Sequence, residues 1–124
     1  MQEHWKDDQP IYRQLQDKVV DLILEGVFNE GEAVPSVRQI AVEYRINHLT
    51  VSKAYQQLVD DGLLVKKRGI GMFVIEGARG QLLANEREKF LRVELPQVLK
   101  RVKQLGISNE QIIKIMTESA QEEV

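Results

Sequence analysis

Apolar residues recur three and four positions apart through most of this 124-residue chain, and the recurrence breaks at glycine or proline. Ile11, Leu15, Val19, Leu22 and Ile23 predict a buried stripe on a first helix from about Pro10 to Glu25, with Arg13, Gln14, Asp17, Lys18 and Asp21 facing water. Asp7-Asp8-Gln9-Pro10 supplies the entry signal, acid ahead of the first turn and a proline in it. Gly26 lies where that helix should stop, and Ala33-Val34 before Pro35 leaves room only for a stub of strand. Val37, Ile40, Ala41 and Tyr44 mark a second helix, and after Arg45-Ile46-Asn47 the same spacing resumes at Val51, Ala54, Tyr55 and Leu58. Ser36 with Gln39 forms a capping-box pattern that starts the second helix, and Asn47 is placed to cap the third.

Beyond Asp60-Asp61-Gly62, a helix stop with a residue suited to a left-handed cap, the pattern shortens. Leu63 to Arg68 and Met72 to Ile75 read as two strands across a Gly69-Ile70-Gly71 loop. Gly77-Ala78-Arg79-Gly80 reads as a hinge by composition, followed by helical sequence from Gln81 to Gln104. Leu91, Leu95, Val98, Val102 and Leu105 have the spacing of a coiled-coil seam, although Pro96 falls inside it and should kink or split the helix. Gly106 ends that helix, and Ser108 with Gln111 starts a last one carrying Ile112, Ile113, Met116 and Ala120 on one side. The expected fold is therefore mainly α with a small β-hairpin. It is a winged helix-turn-helix domain over residues 1–77 followed by a two-helix dimerisation tail over residues 78–124.

Two tail helices cannot bury their apolar faces alone, so Leu91, Leu95, Val98, Val102, Leu105, Ile112 and Met116 are expected to pack against a second copy, making a homodimer. The rival is a tail folded back onto its own domain. Two helices also leave little material for a small-molecule cavity. Regulation through the dimer interface, through a small ligand between helices, or by no ligand at all stays open.

Composition narrows the function. No run approaches the length of a membrane-spanning helix, and residues 1–8 contain no apolar signal-peptide core, so a cytoplasmic location without membrane partners is expected. The chain has no cysteine and only His4 and His48, which excludes disulfides and leaves too few ligands for a typical zinc site; no cofactor is expected. No nucleophile with a histidine base is visible, so the chain does not read as an enzyme. Net charge is −2, yet residues 36–68 hold six basic side chains (Arg38, Arg45, Lys53, Lys66, Lys67, Arg68) against three acidic ones (Glu43, Asp60, Asp61). A basic region inside an acidic whole suits contact with double-stranded DNA at one place rather than indiscriminate coating of polyanions. The third helix would present His48, Ser52 and Lys53 to base edges, and the basic strand leading to a glycine-rich tip suits phosphate or the minor groove.

Pro10-Ile11-Tyr12, Val34-Pro35-Ser36-Val37-Arg38, Thr50-Val51 with Ala54-Tyr55 and Leu58, Gly62-Leu63, and Arg68-Gly69-x-Gly71-x-Phe73-Val74 together resemble the GntR family of bacterial transcription regulators. The tail looks like that of its YtrA-like subfamily. The resemblance implies a dimeric repressor on an inverted-repeat operator, with Arg38 and Thr50 contacting DNA and Gly69 at the wing tip. Ser36, Asn47, His48, Ser52, Lys53, Lys67, Arg68 and Gly71 complete the candidate DNA-binding set. Asn47-His48-Leu49-Thr50 departs from the family's usual Asn-Pro-Asn-Thr, Ser52 stands where a basic residue is common, and Ile70 replaces the wing-tip lysine. These departures bear on which operator is read. The alternative is a winged-helix protein-interaction adaptor, which should carry an uncharged or acidic third helix and wing.

Overall fold

The computed structural model describes residues 5–122, and the chain divides into two compact units, Met1–Ala84 and Asn85–Val124. Element order is α1 (Ile11–Leu24), α2 (Val37–Tyr44), α3 (His48–Asp60), β1 (Leu64–Lys67), β2 (Gly71–Val74), α4 (Ala78–Lys89), a π-helical turn (Phe90–Glu94), α5 (Leu95–Gln104) and α6 (Asn109–Glu122). This is the mainly helical arrangement with one antiparallel hairpin that the sequence predicts.

The core of the first unit is built where three narrow apolar stripes converge. Leu15, Val19 and Ile23 come from α1, Ile40 and Tyr44 from α2, and Val51, Ala54, Tyr55 and Leu58 from α3. Leu63, Leu64 and Val74 close it from the hairpin side. Two residues of the expected stripe lie outside the core: Leu22, which is half-buried, and Ile11, which is 39% exposed at the start of α1. That end is instead fastened by Gln14, whose side chain accepts from the Lys6 N–H at 2.7 Å and donates to the Lys6 and Gln9 carbonyls at 2.7 and 2.8 Å.

The loop into α2 joins the hairpin. Ala33 bridges Phe73, Val34 N–H donates to the Met72 carbonyl at 2.9 Å, and Val74 N–H donates to the Glu32 carbonyl at 3.0 Å. The stub thus lies beside β2. In the hairpin itself Leu64 pairs with Val74 and Lys67 with Gly71, so the loop is Arg68-Gly69-Ile70, one residue earlier than expected. Ile70 N–H closes the turn on the Lys67 carbonyl at 3.0 Å, and Gly69 has φ +75°, the sign a type II turn demands at its third position.

The expected hinge at residues 77–80 is the start of α4 instead. Ala78 and Leu82 are buried in the first unit's core. Glu30 accepts the Arg79 N–H at 3.1 Å, satisfying one of the amides a helix start leaves open, while Arg79 Nε donates to the Leu24 carbonyl at the end of α1 at 3.0 Å. Two glycines in four residues suggested a flexible joint, but packing and charge-assisted bonds fasten it.

In the second unit, Pro96 neither breaks nor sharply ends the helical path. The π turn widens the backbone just ahead of it, with Leu95 N–H bonded to the Phe90 carbonyl, and the proline falls in the first turn of α5, where an N–H is dispensable. Backbone angles stay helical at both ends of the π turn, −59° and −46° at Lys89 and −61° and −42° at Leu95. Gly106, at φ +69°, ends α5, and Ser108 Oγ accepts the Gln111 N–H at 3.2 Å to start α6. Leu91, Val98, Leu105, Ile113, Ile115 and Met116 are exposed in the single chain, and Leu95, Val102 and Ile112 are half-buried.

Tyr55 fixes α3 against α2. Its ring is buried and its hydroxyl donates to the Pro35 carbonyl at 2.7 Å. Burial, reinforced by Tyr44, raises its ionisation well above the ordinary tyrosine range. The unfolded chain ionises first, so this contribution to stability is present below about pH 10 and is lost as pH rises beyond it. Tyr55→Phe is expected to cost about 1 kcal/mol at neutral pH and to flatten the alkaline decline, as measured by denaturant unfolding at both pH values.

Candidate nucleic-acid interface

One side of α3 is consumed by the core, which leaves the other side as the only place for chemistry. Ser52, Lys53, Gln56 and Gln57 project from it exposed, and Thr50 is half-buried. What comes before α3 fixes where its first turn points. Arg45 adopts a left-handed conformation (φ 56°, ψ 48°), and Ile46 N–H closes the end of α2 on the Ala41 carbonyl at 3.0 Å. Asn47 Oδ1 then accepts the Leu49 N–H at 2.8 Å and caps α3. The turn between the helices is therefore short and set by hydrogen bonds.

The start of α2 is equally defined. Ser36 Oγ accepts the Gln39 N–H at 3.1 Å and Gln39 Oε1 accepts the Ser36 N–H at 2.8 Å, the reciprocal box read from the sequence. Helix beginnings concentrate partial positive charge, so the starts of α2 and α3 both favour an anion.

Two hollows flank α3 and sort the candidate residues. The first, between α3 and the hairpin, encloses about 250 Å³ and brings Ser36, Ser52 and Gly71 together with Gln56, Lys66 and Tyr55. The second, an open groove of about 710 Å³ between α2 and the α2–α3 turn, brings Arg38, Asn47 and His48 together with Val42 and Leu49. Lys53 stands apart from both: its ammonium lies 4.0 Å from the centre of the Tyr12 ring on α1, a cation–π contact that holds the charge at the α1 side of α3. Lys67 Nζ lies 4.5 Å over the Phe73 ring, on the hairpin face opposite Lys66, while Arg68 and Gly69 are exposed at its tip.

Gln56, in the first hollow, was missed by sequence reasoning. Its position one helical turn after Ser52 was the available signal. Lys66 counted toward the basic arm, but its sharing of a hollow with Ser36 follows only from the hairpin's seat beside α3. Tyr12 as a partner for Lys53 had no local signal at all, since 41 residues separate them. Among the described residues, no group of three or more histidine, cysteine or acidic side chains could hold a metal ion, and no helix is long and apolar enough to cross a membrane.

The family of bacterial regulatory proteins named gntR matches residues 11–74, from α1 to the end of β2. Similarity continues into the tail: the chain is 31% identical over 103 residues to the HTH-type transcriptional repressor YtrA of Bacillus subtilis, an alignment covering 83% of this chain and 78% of that one. The crystal structure of a transcriptional regulator from Oenococcus oeni has a TM-score of 0.74 at 27% identity, covering 95% of this chain and 97% of that one. The DNA-binding domain of AraR, solved in complex with operator ORX1, has a TM-score of 0.52 at 25% identity, covering 60% of this chain and 90% of the domain. A match that takes in both capped helices and the hairpin, with likeness to regulators through the tail as well, makes this chain a member of the GntR family of bacterial transcription regulators and not an enzyme.

Proposed function

We propose that the protein is a cytoplasmic, homodimeric repressor that binds an inverted-repeat operator. The observation that carries this reading is the pair of capped helix starts: both bring polar or basic side chains to one end of a helix pair whose opposite faces are consumed by the core. Residues 1–77 make the DNA contact and residues 78–124 make the dimer. Arg38, Asn47 and His48 meet base edges and nearby phosphates from the second hollow. Ser36, Ser52 and Gly71 line a phosphate track between α3 and the wing, with Thr50 at the edge of α3. Lys67, Arg68 and Gly69 carry the wing tip toward the minor groove, where a glycine lets the backbone approach closely. Lys53, held against Tyr12, neutralises the backbone on the other flank. The complex of the related AraR domain with operator DNA and the description of YtrA as a repressor support this assignment.

The tail supports the dimer. Leu91, Val98, Leu105 and Met116 are exposed, each by more than half, while Leu95, Val102 and Ile112 are half-buried. A second copy covers such a stripe, and two-fold symmetry then sets two recognition helices about one DNA turn, or a multiple of it, apart. Bound across a promoter, the dimer blocks it.

Selection from random duplex DNA by the purified chain is expected to enrich an inverted repeat, and sedimentation is expected to give twice the chain mass. Enrichment without symmetry, together with a monomer mass, would remove the dimer. No enrichment would favour the adaptor reading.

Asn47 separates folding from recognition. Asn47→Ala is expected to cost about 1 kcal/mol of stability by removing the cap. Asn47→Asp keeps the accepting oxygen and is expected to unfold at the same denaturant concentration as the parent, yet to bind operator about tenfold more weakly, since it places a negative charge beside phosphate.

A further inference from the structure

We propose that Leu49 reads the 5-methyl group of a thymine in each half-site, an assignment that rests on the operator-binding function proposed above. Leu49 is the second residue of α3 and is 67% exposed, and Val42 across the same groove is 74% exposed. Both are branched aliphatic side chains and the two exposed apolar residues of a groove whose floor holds the half-buried Val37, Ala41 and Ile46 and whose polar members are Arg38, Asn47 and His48. Neither belongs to the core.

The direction of the Leu49 side chain follows from helix geometry. Each Cα–Cβ bond tilts toward the helix N-terminus, so a side chain in the first turn leans off the end of the helix toward whatever that end faces. The backbone beneath it is fixed, because its own N–H is bonded to the Asn47 side chain at 2.8 Å. Leucine has no donor or acceptor, so on a DNA-facing helix end it can select only an apolar feature. Of the groups that unmodified base pairs display in the major groove, the thymine methyl is the one projecting apolar group, since cytosine offers only a C5–H at the same place. The groove wall formed with Val42 gives that methyl a second apolar neighbour. A polar residue at this position would select a hydrogen-bonding edge instead, so Leu49 changes which base is preferred as well as how strongly.

The test uses the full chain and the duplex it enriches from random DNA at near-physiological salt. Each thymine of that duplex is replaced in turn by deoxyuridine, which removes the methyl and leaves the pairing edge intact, and affinity is read by fluorescence anisotropy. One symmetric pair of positions is expected to show a loss of about fourfold for a single replacement and about fifteenfold for both, the scale of one buried methyl per half-site. Leu49→Ala is expected to bind the thymine duplex about as weakly as the parent binds the uracil duplex, and to distinguish the two less than twofold. Leu49→Met should restore part of the discrimination. Because the side chain is exposed, the thermal midpoint of either variant should match the parent's.

Tolerance of uracil at every position by the parent would overturn the proposal while leaving operator binding intact. A uracil penalty undiminished in Leu49→Ala would do the same, since another side chain would then meet the methyl. Failure to enrich any sequence would overturn the operator-binding function itself and this assignment with it.

Discussion

The fold depends on α3 being two-sided. Thirteen residues must bury Val51, Ala54, Tyr55 and Leu58 completely enough to hold the helix while leaving its first turn clear. Tyr55 does most to reconcile these demands. Its ring is buried in the core that α1, α2, α3 and the hairpin share, and its hydroxyl is satisfied by the Pro35 carbonyl, one residue ahead of the cap of α2. The start of α2 and the body of α3 are thereby joined through a bond that desolvation strengthens. Moving Tyr55 would release the Pro35 carbonyl and with it the loop that leads through Ser36 into α2.

The same logic extends outward in layers of decreasing burial. The hairpin is short and cannot be stable alone, but Leu64 and Val74 fasten one end in the core and the Ala33 bridge fastens its edge. Its basic end is left to extend into solvent. Arg79 and Glu30 then join the start of α4 to the end of α1 and the loop that follows it, so α4 leaves the first unit from a defined point.

Features that depend on neighbours in the chain were legible in the sequence, and those that depend on neighbours in space were not. The Ser36–Gln39 box and the Asn47 cap involve residues two and three apart, so composition and spacing were enough. Helix stripes were legible for the same reason, except at Ile11 and Leu22, which keep the helical period at the margin of the stripe but lie outside the core. The hairpin loop lay one residue off because Gly69 and Gly71 are both plausible turn residues, and the choice between them is made by the Lys67–Gly71 pair and the seat of β2 beside Ala33. Residues 77–80 looked flexible because the burial of Ala78 and the reach of Arg79 to Leu24 span more than 50 residues. In the candidate site, the outward residues of the first turns of α3 could be named in advance, but Gln56 one turn further on, the division of these residues between two hollows, and the capture of Lys53 by Tyr12 could not.

One end of the α2–α3 pair and the adjoining wing are proposed to form a single DNA-contacting face. An amide chemical-shift map of the isotopically labelled full chain, recorded with and without its enriched duplex, tests this most directly. Perturbations are expected at residues 36–38, 47–53 and 66–71, with the core positions of α1 little changed. Perturbations confined to the tail, or none in the first turn of α3, would rule this face out.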